Sequence, residues 1–531
     1  MADPVGSSAP LPTHPVRIHG SWYDASRFTH PGGPVALQLG VGRDATVLFH
    51  AHHPLTDARR LQQLLAGMRV ADAAAQAALD RAYPDALVPL PEGYDFDLRA
   101  AAQRLGLGPG GAAPAPVDPF EADVKALVAD YLAGEARRRG ISPREAAKQP
   151  PERWALFWLL GALALLGGVL PLFLGWPPAV LLGPTLLWVW QVNFFHDAAH
   201  FSISSDWRVN ALLSYLAPWF SSPLEWYHQH VIGHHIYTNV PERDPDLYHS
   251  RLLWRFQRAS KWLPAHAVME WTTPLIWAVA VPSLALVRPL TTRLSMSYND
   301  CVRLWAVSPA RLALHLLGRA ATAAFVWGWP FAAFAGRGYP LSTVLLFSLA
   351  PYPVFSLWFM LCSQINHHSI ETSEARNANW YRHQVLTSQD VAPQSFLAFI
   401  VTGGLNLQIE HHLFPAVNHW HLRALQPKVR GGWRPRVRAR ARLSLSPSPS
   451  PSPPPLSRAL SSLLARPAGP GALQEARLAL PHQRELRRGR GQDLGAHARA
   501  CRSRREREGR REAARCVPLR SEDQGSSGVS A

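Results

Sequence analysis

Runs of apolar residues divide this chain into three regimes. From about residue 14 to 90 the apolar groups are short and broken by turn signals such as HPGG, the pattern of a small soluble module. The stretch GLGPGGAAPAPVDP then reads as a linker. FEADVKALVADYLAGEARRRG follows with apolar residues at helical spacing, predicting an amphipathic helix near a membrane surface. Beyond it, Trp154–Leu174 is almost uninterrupted apolar sequence and Ala179–Phe195 nearly so, each approaching the ~20 residues that cross a bilayer core. Leu312–Ala335 and Leu341–Cys362 are two further spans. A fifth apolar stretch, Ala265–Val287, is interrupted by His266, Glu270, Pro274 and Pro282 and is expected to lie in the interface. After Val429 the periodicity fails, and SLSPSPSPSPPPLS opens a low-complexity tail expected to be disordered. The predicted organisation is 14–95 soluble module, 96–118 linker, 119–429 membrane domain and 430–531 tail.

Charge sharpens this division. The chain has 531 residues and a formal net charge of +17, of which the part from Gly431 onward, with 21 Arg and no Lys, supplies +13. A basic tail on a near-neutral body does not make a nucleic-acid binder. Cys301, Cys362, Cys501 and Cys516 show no CxxC spacing, which excludes a thiolate zinc site and a disulfide framework. The first fifteen residues lack the charged and apolar blocks of a signal peptide.

Four histidine clusters flank the apolar runs. HDAAH offers His196 and His200; QHVIGHH offers His230, His234 and His235; SQINHH offers His367 and His368; QIEHH offers Gln408, His411 and His412. On an α-helix HxxxH aims two imidazoles at one point. A lone HxxxH arises by chance, and His249, His315 and His383 read as surface or satisfied polar groups, with His228, His419 and His421 as spectators. Several sets together, each at the end of an apolar span, are different, because buried unpaired imidazoles cost free energy unless something binds them. The clusters can meet only on one side of a bilayer. That parity requires four crossings and places Ala265–Val287 in the interface. About eight nitrogen ligands exceed one zinc ion's four and fit two ions, with iron, zinc and manganese all open from ligand type.

The set HDAAH, HxxxHH and QxxHH, with QHVIGHHIYTNV, DPDL and QIEHHLFPAV around it, resembles the three histidine boxes of the membrane fatty acid desaturases, and the glutamine resembles their front-end subgroup. The resemblance covers roughly Phe120 to Val429. It implies a mostly α fold, a four-transmembrane-helix bundle with a cytosolic di-metal cap. It also implies two iron ions, dioxygen as co-substrate, and an acyl-lipid or acyl-CoA chain in a tunnel. The implied ligands are His196, His200, His230, His234, His235, His411 and His412, with His367 as an extra one; Gln408 either touches a metal or hydrogen-bonds a ligand. Removing hydrogen from an unactivated methylene needs an oxidant that side chains cannot supply and a dioxygen-activating cofactor can.

The N-terminal module explains the electrons. SWYDASRFTHPGGPVALQLGVGRDATVLFHAHHP resembles the cytochrome b5 haem domain, a small α+β fold, in Trp22, Asp24, HPGG and Asp44-Ala45-Thr46. Two axial imidazoles suit haem b to electron transfer. His30 is one; the family's histidine before proline selects His53, with His52 as the fallback. An NADH-cytochrome b5 reductase is implied as donor, since no dinucleotide fingerprint is present.

The reading is therefore a multi-pass membrane protein of the endoplasmic reticulum, or of a plastid, that inserts a double bond into a polyunsaturated acyl chain between an existing one and the carboxyl end. QHVIGHHIYTN leans towards a delta-5 type. A sphingoid-base desaturase and a di-iron lipid hydroxylase share these motifs. A histidine-rich metal transporter calls for ionisable residues inside the spans, which are nearly absent, and leaves HPGG unexplained. The tail does not resemble the family's soluble ending. Read one nucleotide out of register from Leu473, it can encode such an ending, so a mis-spliced gene product competes with a genuine basic tail that binds anionic lipid.

Overall fold

The computed structural model describes residues 11–107, 115–217 and 219–430. The expectations for the tail, together with Cys501 and Cys516, lie outside the described residues. Apart from short strand pairs the architecture is helical.

The N-terminal module is built on the antiparallel pair Pro15–Ile18 and Ser21–Asp24, in which Val16, Ile18, Trp22 and Tyr23 are buried. Trp22 is fully buried against Leu79 and Ala86, and its indole donates to Asp80 (2.8 Å). The helices Gly33–Gln38, Thr46–His52 and Ala58–Met68 follow, the last capped by the Asp57 carboxylate. The described part of the stretch expected to be a linker includes regular structure. Arg99–Arg104 is a short helix with buried Ala101 and Ala102, and the Asp97 amide donates to Ala378 O (2.7 Å).

Residues Pro119–Arg139 form the expected amphipathic helix, capped by Asp118 and buried along Phe120, Val124, Val128, Leu132 and Ala136. Phe120, Val124, Val128 and Leu132 share one buried cluster with Val231 and Leu413 of the histidine-bearing segments.

Among the described residues three helices are long and apolar enough to cross a membrane: Pro143–Phe173, Pro264–Ser295 and Leu341–Gln364. Two of these agree with predicted spans. The helix Ala179–Val192 is only 14 residues, about 21 Å, because the backbone turns at Phe194 to start the segment carrying His196. Helix Pro309–Ala323 carries Arg311, His315 and Arg319 and also falls short of that apolarity. The stretch expected in the interface is part of Pro264–Ser295, which is long and apolar enough to cross, and lies along the helix Pro351–Gln364, with the Val281 amide donating to Ser356 Oγ (2.9 Å) and that hydroxyl donating to Trp277 O. Pro274 and Pro282 lie inside this helix without ending it, the Ser356 hydroxyl bridging the two backbone groups.

Small residues set the helix contacts. A Cβ on Gly168 would stand 2.9 Å from Gly183 Cα, so the first two apolar helices cross backbone to backbone. Gly403, at φ +60, faces Val192 O, 2.6 Å from where a Cβ would sit. This contact locks the loop before QIEHH onto the end of the helix that precedes HDAAH. A left-handed conformation costs an L-residue about 1–2 kcal/mol, and backbone overlap adds to it. Gly403→Ala should therefore lower the melting temperature of the detergent-solubilised protein, measured by thermal unfolding, whereas Gly134→Ala, on an open helix surface, should not.

Candidate metal centre

The loops and short helices above the apolar bundle bring eight imidazoles together. His196, His200, His230, His235 and His411 form one group; His234, His367 and His412 form a second, with ligand-capable nitrogens in each group within 4.8 Å of one another. All eight are buried.

Backbone form decides who faces whom. HDAAH is a short α-helix, Phe195–Ala199, with His200 at its end, and its two imidazoles enter the same group. Residues Tyr227–His234 form a π-helix, whose wider turn repeats near five residues rather than four. His230 and His235 therefore share a face (Nε2–Nε2 3.2 Å), while His234 turns to the second group. This corrects the expectation that α-helical spacing in QHVIGHH pairs His230 with His234. The adjacent His411 and His412 likewise divide, one to each group.

Nitrogens bound about 2.1 Å from one ion stand roughly 3.0–3.4 Å apart at octahedral or tetrahedral angles. The observed Nε2–Nε2 separations match: His196–His230 3.0 Å, His235–His411 3.1 Å and His234–His367 3.3 Å. Gln408 Nε2 is 2.9 Å from His367 Nε2, and its Oε1 has no partner among the described residues. Both nitrogens of His200 and Nε2 of His412 are also buried without a partner among the described residues. Burial first, and neighbouring imidazoles second, hold His200, His230, His235, His411 and His412 well below the ordinary imidazole range, neutral with lone pairs available. This donor set fits a pair of divalent ions, one held by five imidazoles and the other by three plus an amide oxygen.

Outer groups fix the ring orientations. His234 Nδ1 donates to Asp244 (3.2 Å), His367 Nδ1 to Thr387 O (3.0 Å) and His412 Nδ1 to Gln384 Oε1 (2.9 Å). Asp197 Oδ2 accepts from His419 Nδ1 and Asn418 Nδ2 (2.6 Å each) and ties the third histidine segment to the first. Sequence reasoning passed over these partners. Asp244 and Asp246 stand in the quoted DPDL and Asp197 inside HDAAH, and a carboxylate beside histidines was the available signal. Of the residues read as bystanders, His421 bonds Tyr131 and Lys148 O, and His228 bonds Leu224 O, whereas His419 orients Asp197. His368 stacks on Phe256 outside both groups.

In the N-terminal module, His30 and His53 face each other with ring centroids 5.9 Å apart. Two imidazoles on opposite sides of one ion, at about 2 Å each, require about 6 Å. His53 Nδ1 donates to Phe49 O (2.8 Å). His52 instead bonds Leu48 O and makes no ring contact with His30. The module sits on the metal cap. Trp207 packs on Gly33 of HPGG, where a Cβ would come within 2.5 Å of the indole, and Arg144 donates to Pro31 O (3.2 Å).

A cavity opens from the centre, enclosing about 700 Å³ of unfilled space with its mouth included. Trp188, Phe195, Phe220, Trp226, Phe355 and Phe359 line it together with His196, His230, His234, His367 and Gln408. It is an apolar slot ending at the nitrogen groups.

Residues 171–442 match the fatty acid desaturase family, and residues 16–74 match the cytochrome b5-like haem/steroid binding domain. Among curated proteins, an acyl-lipid omega-13 desaturase of Chlamydomonas reinhardtii is 30% identical over 455 residues, 80% of this chain and 89% of that one. An acyl-lipid (8-3)-desaturase of Mortierella alpina is 28% identical, covering 76% and 84%. Delta(5) fatty acid desaturase A of Dictyostelium discoideum is 23% identical, covering 78% and 83%.

The carboxylates give a test of the second group. Burial opposes charge on His234, but Asp244 and Asp246 outweigh it and hold its pKa up at about 9. Below that pH the metal-free ring carries a proton that an ion must displace. Ferrous ion uptake by equilibrium dialysis should tighten as pH rises towards 9. Asp244→Asn should weaken it about 10- to 100-fold and flatten the pH dependence in that range.

Proposed function

The chain belongs to the fatty acid desaturase family and carries a cytochrome b5-like domain, and we propose that it is a front-end acyl-lipid desaturase whose fused haem module feeds a di-iron centre. As a desaturase it is an oxidoreductase of the membrane-bound kind. The observation that carries the proposal is the division of eight imidazoles into groups of five and three at the blind end of an aromatic slot. His196, His200, His230, His235 and His411 would hold one iron; His234, His367, His412 and Gln408 would hold the other. His30 and His53 would hold haem b.

A di-iron pair bound there supplies an oxidant, drawn from dioxygen, strong enough for an unactivated methylene. The rest falls to the protein. The aromatic walls take the acyl chain and exclude water, which limits the choice of reacting carbons to those beside the nitrogen groups. Two hydrogens leave the chain; with two electrons and two protons from outside they reduce one dioxygen to two waters. An NADH-dependent reductase is the fitting external donor, and a bilayer of the endoplasmic reticulum the fitting site.

Convergence of the histidine groups requires an even number of membrane crossings between His235 and Gln408. Three long helical segments lie in that interval, so two cross, giving four crossings with the first pair. The relatives' names differ in double-bond position, delta-5 among them, and the wording of QHVIGHHIYTN leans towards a delta-5 type by resemblance.

Expression in a host fed defined polyunsaturated acids, followed by mass spectrometry of its lipids, should yield one new double bond on the carboxyl side of an existing one. Hydroxylated or unchanged lipids alone would overturn the proposal. His30→Ala should abolish haem-dependent electron supply while leaving non-haem iron content, measured by elemental analysis, unchanged.

A further inference from the structure

Two amides in the slot are unexplained by metal binding. Gln191, 2% exposed, lies on the helix leading to His196, and neither of its side-chain polar atoms has a partner among the described residues. Gln364, 6% exposed, lies three residues before His367; its Oε1 has no partner, and its Nε2 has only a long contact to Ser363 Oγ (3.4 Å). Both line the cavity together with His196 and His367. A third amide there, Gln229, shows what satisfaction looks like: it donates to Asp246 (2.9 Å) and accepts from Tyr298 (2.7 Å). Leaving a buried amide unpaired costs about 1–3 kcal/mol, which a leucine in an apolar slot would avoid. Something that enters the slot must meet these groups.

We propose that Gln191 and Gln364 recognise the π-face of the double bond already present in the acyl chain, and so select polyunsaturated substrates. This rests on the front-end reading, in which the new bond forms next to an existing one. The existing double bond then lies within a few carbons of the oxidised pair, in the stretch of slot lined by His196 and His367. An amide N–H donates weakly but favourably to a π-system. A chain saturated at that point leaves the amides unpaired and is rejected, as a site built for a polar partner rejects an analogue lacking it. An ester or thioester carbonyl is a poorer match, because the bulky carrier must remain at the open end while these side chains are enclosed.

The test is a competition. Membranes containing the intact protein receive two acyl chains of equal length, identical except that one lacks the double bond nearest the carboxyl group, and both desaturated products are quantified. The wild type should prefer the more unsaturated chain. Gln191→Leu, and separately Gln364→Leu, should cut that preference roughly three- to tenfold, with iron content and haem absorption unchanged. Leucine is apolar and close in size, and two variants on different helices guard against one failing to fold. A preference ratio unchanged in both variants would overturn the proposal. So would an equal loss on both chains, the mark of an amide that holds a water or the fold. If the wild type desaturates neither chain, it is the front-end reading that fails.

Discussion

Eight imidazoles buried within a few ångströms of one another are the constraint that everything else serves. Their nitrogens sit at separations suited to two ligands of one ion. Without an ion, several lone pairs would face each other unsolvated, at a cost no apolar packing offsets. Fold energy comes from elsewhere, through the stripe of helix Pro119–Arg139 and the aromatic walls of the slot. The outer carboxylates and amides then hold rings that would otherwise turn away. Asp197 does this across the chain, joining the first histidine segment itself to the turn after the last.

The same constraint reaches into the bilayer. Histidine groups drawn from before and after the long apolar helices can meet only if the chain returns to the side it left, so cap chemistry restricts membrane topology. The helix Pro264–Ser295, expected in the interface from its prolines and Glu270, is long and apolar enough to cross and packs along Pro351–Gln364, with the Ser356 hydroxyl bridging the Val281 amide and Trp277 O. Conversely, Ala179–Val192 reads as a full span and stops at 14 residues, because the chain must turn to deliver His196.

Most of the site was legible because metal ligation leaves a dense, type-specific mark. His196, His200 and the QxxHH set could be singled out from spacing beside apolar runs, and His30 and His53, which the structure brings face to face, through the resemblance carried by HPGG and a histidine before proline. What spacing could not convey was the distribution of ligands between two groups. That depends on a π-helical turn over Tyr227–His234, and residue propensities do not announce one. The partners Thr387, Gln384 and Asp244 were hidden for another reason: each is an ordinary polar residue until its neighbour 20 or 28 positions away is known, or, for Asp244, until the loop folds back. Gln191 falls inside Ala179–Phe195, a stretch read only as an apolar span. Its isolation in the slot is visible only in three dimensions.

The seating of the N-terminal module on Trp207 and Arg144 has a consequence for how the two halves could be separated. A tethered donor acts at an effective concentration fixed by geometry, whatever the amount of free carrier around it. Cutting the module away would do more than remove a haem. It would bare an indole and a guanidinium on the cap, a scar shaped for a glycine turn, which any replacement carrier would have to find by diffusion.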